Sequence, residues 1–108
     1  MKSINKIILI GHVGAKPEGR YTPKGVSTAS FSVATNEIWY DIEKKKHEHT
    51  EWHTIVAFNK IADYTTQNIT KGSLVYIEGS LRSRVWTSNQ QKGKKIIEVI
   101  ATEVVLLK

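Results

Sequence analysis

The sequence predicts an all-β fold: a five-stranded antiparallel Greek-key barrel with one short helix between the third and fourth strands. Three observations carry the prediction. Five β-rich runs span the 108 residues, one segment with helical spacing follows the third run, and polar or glycine-containing stretches bound the runs. Five strands with a helix at that position form the OB-fold arrangement.

Each element has its own warrant. The first run, Ile4 to Val13, is apolar and β-branched, interrupted by Lys6 and marked by Gly11 and Gly14. A loop with both prolines, Pro17 and Pro23, follows. The second run, Ser27 to Trp39, alternates in its first half: Ala29, Phe31 and Val33 on one side, Thr28, Ser30 and Ser32 on the other. Tyr40 to His49 reads as a long polar loop. The third run, Thr50 to Phe58, places Trp52, Thr54, Val56 and Phe58 on one face and His53, Ile55 and Ala57 on the other. Ile55 and Ala57 suit a barrel interior. Asn59 to Thr70 spaces Ile61, Thr65 and Ile69 four apart, as a helix requires, with Asn59 as the expected cap and Gly72 as the expected left-handed stop. Two long β-runs close the chain, Ser73 to Trp86 and Ile96 to Leu107, joined by a polar loop from Thr87 to Lys95.

Composition narrows the class. The length suits a single domain over residues 1–108, and 40% hydrophobic with 24% charged residues is ordinary for a globular protein. There is no cysteine, which excludes disulfides and cysteine-based metal sites. No apolar run approaches the roughly 20 residues of a membrane helix, and Ile7 to Ile10 is too short for a signal peptide core. The expectation is a cytoplasmic protein without a membrane partner. The net charge of +6 favours a polyanionic partner, although solubility alone accounts for a charge of that size. The cations cluster in residues 1–28 and 87–95, whereas Ala29 to Phe58 is net acidic.

The fourth run sharpens the choice of partner. Tyr76, Glu78, Ser80, Arg82, Arg84 and Trp86 share one face, while Val75, Ile77, Leu81 and Val85 share the other with Gly79 and Ser83. The apolar face reads as core. A face with two arginines is not a dry core, because unpaired buried charge is too costly. Trp86 is therefore expected in solvent beside cations, and the same reasoning extends to Trp39, Trp52 and Phe58 on one outer side. A single tryptophan in a small barrel is more often core than platform. Several aromatics among polar and cationic neighbours instead suit nucleic-acid binding, with bases stacked on rings and phosphates met by Lys60, Arg82, Arg84, Lys92, Lys94 and Lys95.

Other chemistries fit less well. His47, His49 and His53 lack a completing carboxylate or cysteine spacing, so neither a metal nor another cofactor is expected. Gly11-His-Val-Gly14 follows a strand rather than joining two helices, and Gly14-Ala-Lys16 lacks phosphate-loop spacing. A nuclease would need clustered carboxylates; Asp41, Glu43, Glu48 and Glu51 lie in or beside a lysine-rich loop instead. No enzymatic activity is expected. The competing non-enzymatic reading is an OB-fold adaptor of a primosome-type replication complex, which has no need of the full tryptophan set.

The segments NKIILIGHVGAKPEGRYTPKG, FSVATNEIW, TEWHTIVAFNKIA and KGSLVYIEGSLRSRVW, in this order and spacing, resemble the bacterial-type single-stranded DNA-binding proteins over nearly the whole chain. TEWH with VYIEG and a following R-x-R-x-W is the specific combination. The resemblance implies base stacking on Trp39, Trp52, Phe58 and Trp86, and phosphate contacts from Arg20, Lys60, Lys71, Arg82 and Arg84. It also implies a homotetramer with DNA wrapped outside, His53 at a subunit interface, and work on the nucleoid in replication, recombination and repair. Thr54 and Val85 depart from the family, which often has cations there; Lys44–Lys46 and Lys92–Lys95 are candidates to compensate. The chain ends at Lys108 directly after its last β-run, so it is expected to be a form without the acidic tail through which relatives recruit replication enzymes.

Overall fold

A computed structural model describes residues 2–86 and 93–108, with only the main chain at Trp86. The elements run β1 (Ile7–Val13), β2 (Glu18–Tyr21), β3 (Ser27–Tyr40), β4 (Lys46–Phe58), α1 (Asn59–Asn68), β5 (Leu74–Trp86) and β6 (Lys94–Leu106). The strand order is β1-β5-β6-β4-β3-β2, and a β1–β3 pairing closes β1, β3, β4, β5 and β6 into a five-stranded barrel. Three details depart from expectation. A short β2 pairs with β3 inside the proline-containing segment, so the helix follows the fourth strand rather than the third. The sheet is mixed, because β4 meets β6 in parallel at Ile55↔Val99 and Val56↔Ile100. The expected loop from Tyr40 to His49 is largely ladder, since β3 and β4 stay paired as far as Tyr40↔Lys46.

Alternation selects the core. Ala29, Val33, Ile55, Ala57, Val75 and Ile77 are fully buried, joined by Phe31 and Val99. Burial of each large aliphatic side chain contributes about 1.5–3 kcal/mol. Gly11 sits at the closure, where a Cβ would collide with the Ala34 carbonyl; the close β1–β3 approach needs glycine. The helix covers one barrel end with Ala62, Thr65 and Ile69, and Thr65 Oγ1 donates to the Ile61 carbonyl at 2.8 Å.

The helix ends differ from expectation. Asn59 makes no capping bond; Phe58 is the N-cap residue, and Asn59 has a φ of 58°. The helix stops at Asn68, with extended Ile69 as its C-cap. Gly72 does have positive φ, but in the following turn, where its N–H donates to the Val13 carbonyl. No helix is long and apolar enough to cross a membrane, among the described residues.

The fourth β-run needs a further correction. Val75 and Ile77 are core, but Leu81 and Val85 are 48% and 65% exposed. A register shift lies at Glu78/Gly79; β6 still pairs with β4 opposite Ser80 and Leu81, and only beyond Leu81 do β5 and β6 continue as a two-stranded ribbon. Parity assigned the right face there, but no second layer covers it.

Candidate nucleic-acid interface

The outer face of β3 and β4 is built by the same alternation that fills the barrel. Ala34↔Trp52, Ser32↔Thr54, Ser30↔Val56 and Thr28↔Phe58 are its rungs. The Trp52 ring is 57% exposed and lies over the turn after β1: a Cβ on Gly14 would come within 2.6 Å of Trp52 Cζ3. Glycine at that turn gives one ring face a floor and leaves the rest of the ring open.

Four surface hollows, three of them on this side, share lining residues in turn. The first opens at the barrel mouth, where Ile7, His53, Leu81 and Ile97, of inward parity, line it together with Trp52, Thr54 and Glu98. Thr54 continues into the second, with Ser30, Ser32 and Lys16. Lys16 continues into the third, with Arg20 and Tyr21. Tyr21 continues into the fourth, with Phe58 and Lys60, which at about 740 Å³ is large enough for a nucleotide. Linked by these shared residues, the four hollows make up a trough whose lining mixes small hydroxyls, rings and cations with the acids Glu18, Glu51, Asp63 and Glu98.

Expected residues are distributed unevenly along it. Trp52, Phe58, Arg20 and Lys60 line the trough directly. Arg82 and Arg84 join at the Glu98 end: Arg82 Nη2 and Arg84 Nε both donate to Glu98 Oε1, at 3.2 and 3.1 Å. Glu98 is 4% exposed, whereas the arginine side chains are about half exposed. Trp86 is paired through its main chain with Lys94, and Val85 with Lys95. Both lysines are exposed, and they belong to a strand rather than to the expected loop. Lys92 lies outside the described residues. Lys71 is exposed in the turn after the helix.

Trp39 is placed apart. The β3–β4 register puts it in phase with Val33, on the opposite ladder face from Trp52. It stacks on His47 with ring centroids 5.4 Å apart and planes 16° apart. Asp41 organises that hairpin end: Oδ1 accepts from the Glu43 and Lys45 N–H groups, and Oδ2 pairs with His47 Nε2, all at 2.9 Å. The His47 contact, with the Lys45 N–H next, holds the Asp41 carboxyl below its ordinary pKa. His53 is half-buried and hydrogen-bonded through Nε2 to Thr35 Oγ1 at 2.8 Å. No group of three or more metal-ligating side chains converges, among the described residues.

Sequence reasoning missed Lys16, Tyr21 and Glu98. Lys16 precedes β2 and Tyr21 ends it, and the four exposed residues of that strand carry no alternating signal. Glu98 had a signal: it is the lone charge inside the apolar run Ile96 to Ala101.

A closed barrel of this strand order, with its one helix between β4 and β5, is an OB-fold domain. The chain belongs to the single-strand binding protein family, whose model matches residues 4–107. A single-stranded DNA-binding protein of Neisseria meningitidis is 41% identical over 105 residues, covering 97% of this chain and 60% of that protein. Single-stranded DNA-binding protein 1 of Chlorobaculum tepidum is 43% identical over 107 residues, covering 98% of this chain and 66% of that protein. The chain thus spans about 60–66% of the length of these relatives. Among solved structures, a Plasmodium falciparum SSB in complex with ssDNA superposes with a TM-score of 0.94 at 38% identity, over 100% of this chain and 98% of that one. A deletion mutant of the Thermus aquaticus single-stranded DNA binding protein gives 0.86 at 28% identity, over 97% of this chain and 51% of that one. The named relatives are DNA-binding proteins, in line with a non-enzymatic domain.

Proposed function

We propose that residues 1–108 act as one domain that binds single-stranded DNA with little sequence preference. The observation that carries the reading is the row of linked hollows that holds Trp52, Arg20, Phe58 and Lys60, in a member of the single-strand binding protein family. Bases stack on Trp52 and Phe58, and phosphates meet Arg20, Lys60, Arg82 and Arg84. Ring stacking tolerates any base, because every base has a π-face, and the small hydroxyls of the lining impose no single pattern of base-edge contacts. Trp39 and Trp86, on the two projecting ribbons, extend the same chemistry beyond the trough, as do Lys71, Lys94 and Lys95, and Lys92 adds a further cation to the chain's set of phosphate contacts. Occupying the bases keeps a strand from re-pairing, the property needed in replication, recombination and repair on a nucleoid. The domain works as a homo-oligomer, a tetramer by resemblance to its family, with His53 at an interface. The exposed apolar side chains of Ile8 and Ile10 support association.

Titration with oligo-dT at low salt, followed by tryptophan emission, tests the reading. Strong quenching is expected, with affinity falling as salt rises. An unchanged spectrum would sink the stacking model, and a flat salt response would contradict phosphate neutralisation.

A further inference from the structure

Of the four acids that line the trough, Glu98 is the buried one. Glu98 is 4% exposed on β6, directly across the ladder from Arg82. One of its oxygens, Oε1, accepts from both Arg82 Nη2 and Arg84 Nε. Glu98 lines the same hollow as Trp52 and Thr54, and Glu51 and His53 border that hollow too. A carboxylate placed where a polyanion would pass looks counterproductive. Its burial explains its use.

A buried carboxylate deprived of its cations is heavily penalised. The two arginines are therefore bound to Glu98 before any ligand arrives. A guanidinium carries five N–H donors in a rigid fork, and each of these commits one to Glu98. The remaining donors are held on half-exposed side chains. A flexible arginine loses rotamer entropy when it meets a phosphate; one already anchored loses less.

Building on the single-stranded DNA reading, we propose that Glu98 is a positioning residue that holds Arg82 and Arg84 as one preset phosphate-binding pair with a net charge of one. The pair gives up one unit of charge and gains fixed geometry. Its contribution to binding is thus less salt-sensitive than that of two free arginines. A pure charge account makes the opposite prediction: removing the acid should only help.

The test uses the full chain, oligo-dT, a salt series and three proteins: wild type, Glu98→Gln and Glu98→Asp, each checked for folding by circular dichroism. Glu98→Gln should steepen the slope of log affinity against log salt by about 0.7, the increment for one further charge facing a single strand. At the high-salt end it should bind about tenfold more weakly than wild type, because the forks are no longer fixed by a charged acceptor. Glu98→Asp should keep the wild-type slope and lose affinity at every salt. Binding by Glu98→Gln that equals or exceeds wild type throughout overturns the proposal, as does an unchanged slope. A readout without DNA stands beside these. The Arg84 Nε–H proton of the free wild-type protein should exchange slowly with water by NMR, and quickly in Glu98→Gln. Fast exchange in wild type overturns the positioning role whatever the DNA result. Absent quenching with a slowly exchanging Arg84 proton would instead overturn the DNA reading and leave the anchored pair intact.

Discussion

At the residue scale, Trp52 has the most direct part in the proposed interface. Its ring lies over Gly14 on one side and is otherwise open, so truncating it removes a stacking face without opening the core. Trp52→Ala should weaken oligo-dT binding by about 1–3 kcal/mol, the usual worth of one base–aromatic stack. Lys108→Ala, at an exposed position beyond β6, should change binding far less. Equal effects in the same titration would refute the role assigned to Trp52. This residue was legible in the sequence because β4 alternates cleanly where it crosses the barrel: one face must be buried, so the other is outside. Glu98 was not legible as part of the site. Its alternation places it on the outer face and its isolation among apolar residues marks it, but the two arginines bonded to it are set by a cross-strand register no single strand encodes.

At the element scale, the projecting β3–β4 hairpin separates what sequence pattern reveals from what it hides. Within the barrel, Ala29 to Val33 and Ile55 to Ala57 alternate because one face has a partner layer. From Asn36 to Tyr40 and from Lys46 to Glu51 both faces meet solvent, so the period-two signal disappears and the strands read as loop. β5 fails in the opposite sense. Leu81 and Val85 keep the apolar parity of Val75 and Ile77, but Leu81 lies on the last barrel rung and Val85 on the ribbon beyond it. Local hydrogen bonding holds the β3–β4 hairpin instead of a core, and Asp41 is its centre. That predicts a pH dependence with a definite sign. The folded Asp41 carboxyl titrates below its unfolded value, chiefly through His47. Its stabilisation is therefore fully present above the unfolded carboxylate pKa, near about 4, and is lost as pH falls through the lower folded value. Asp41→Asn mimics the protonated acid. Wild type should melt above Asp41→Asn at neutral pH, and the gap should close as the solution is acidified below that range. A gap independent of pH would show that the carboxylate charge contributes nothing to the hairpin.

At the scale of the whole molecule, the barrel has a second outer face that the trough does not use. On β1, Leu9, Gly11 and Val13 point inward, which turns Ile8, Ile10 and His12 outward. Ile8 and Ile10 are 55% and 56% exposed, opposite Glu78 and Tyr76 on β5. Polar contacts brace the ladder there: Glu78 takes Lys6 Nζ at 2.8 Å and the Tyr76 hydroxyl at 2.9 Å, and the Lys6 contact leads in holding its carboxyl below the ordinary range. Two neighbouring isoleucines in water on a structured strand favour an association surface over a solvated one. β1 also pairs with β3 only at His12 and Val13, with Gly11 packed at the closure, so Ile7 to Ile10 offers hydrogen-bonding groups along an edge. If these features hold the proposed oligomer together, replacing Ile8 and Ile10 together by glutamate should yield smaller species in sedimentation velocity. The chain itself should remain folded, because neither side chain belongs to the core. His53→Lys tests the other proposed contact, and it too should shift the profile, with the loss of the bond to Thr35 visible as a modest fall in melting temperature. Profiles identical to wild type for both variants would mean that the chain associates through neither surface. A shift in the isoleucine variant alone would assign association to the β1 face and return His53 to its hydrogen bond inside the chain.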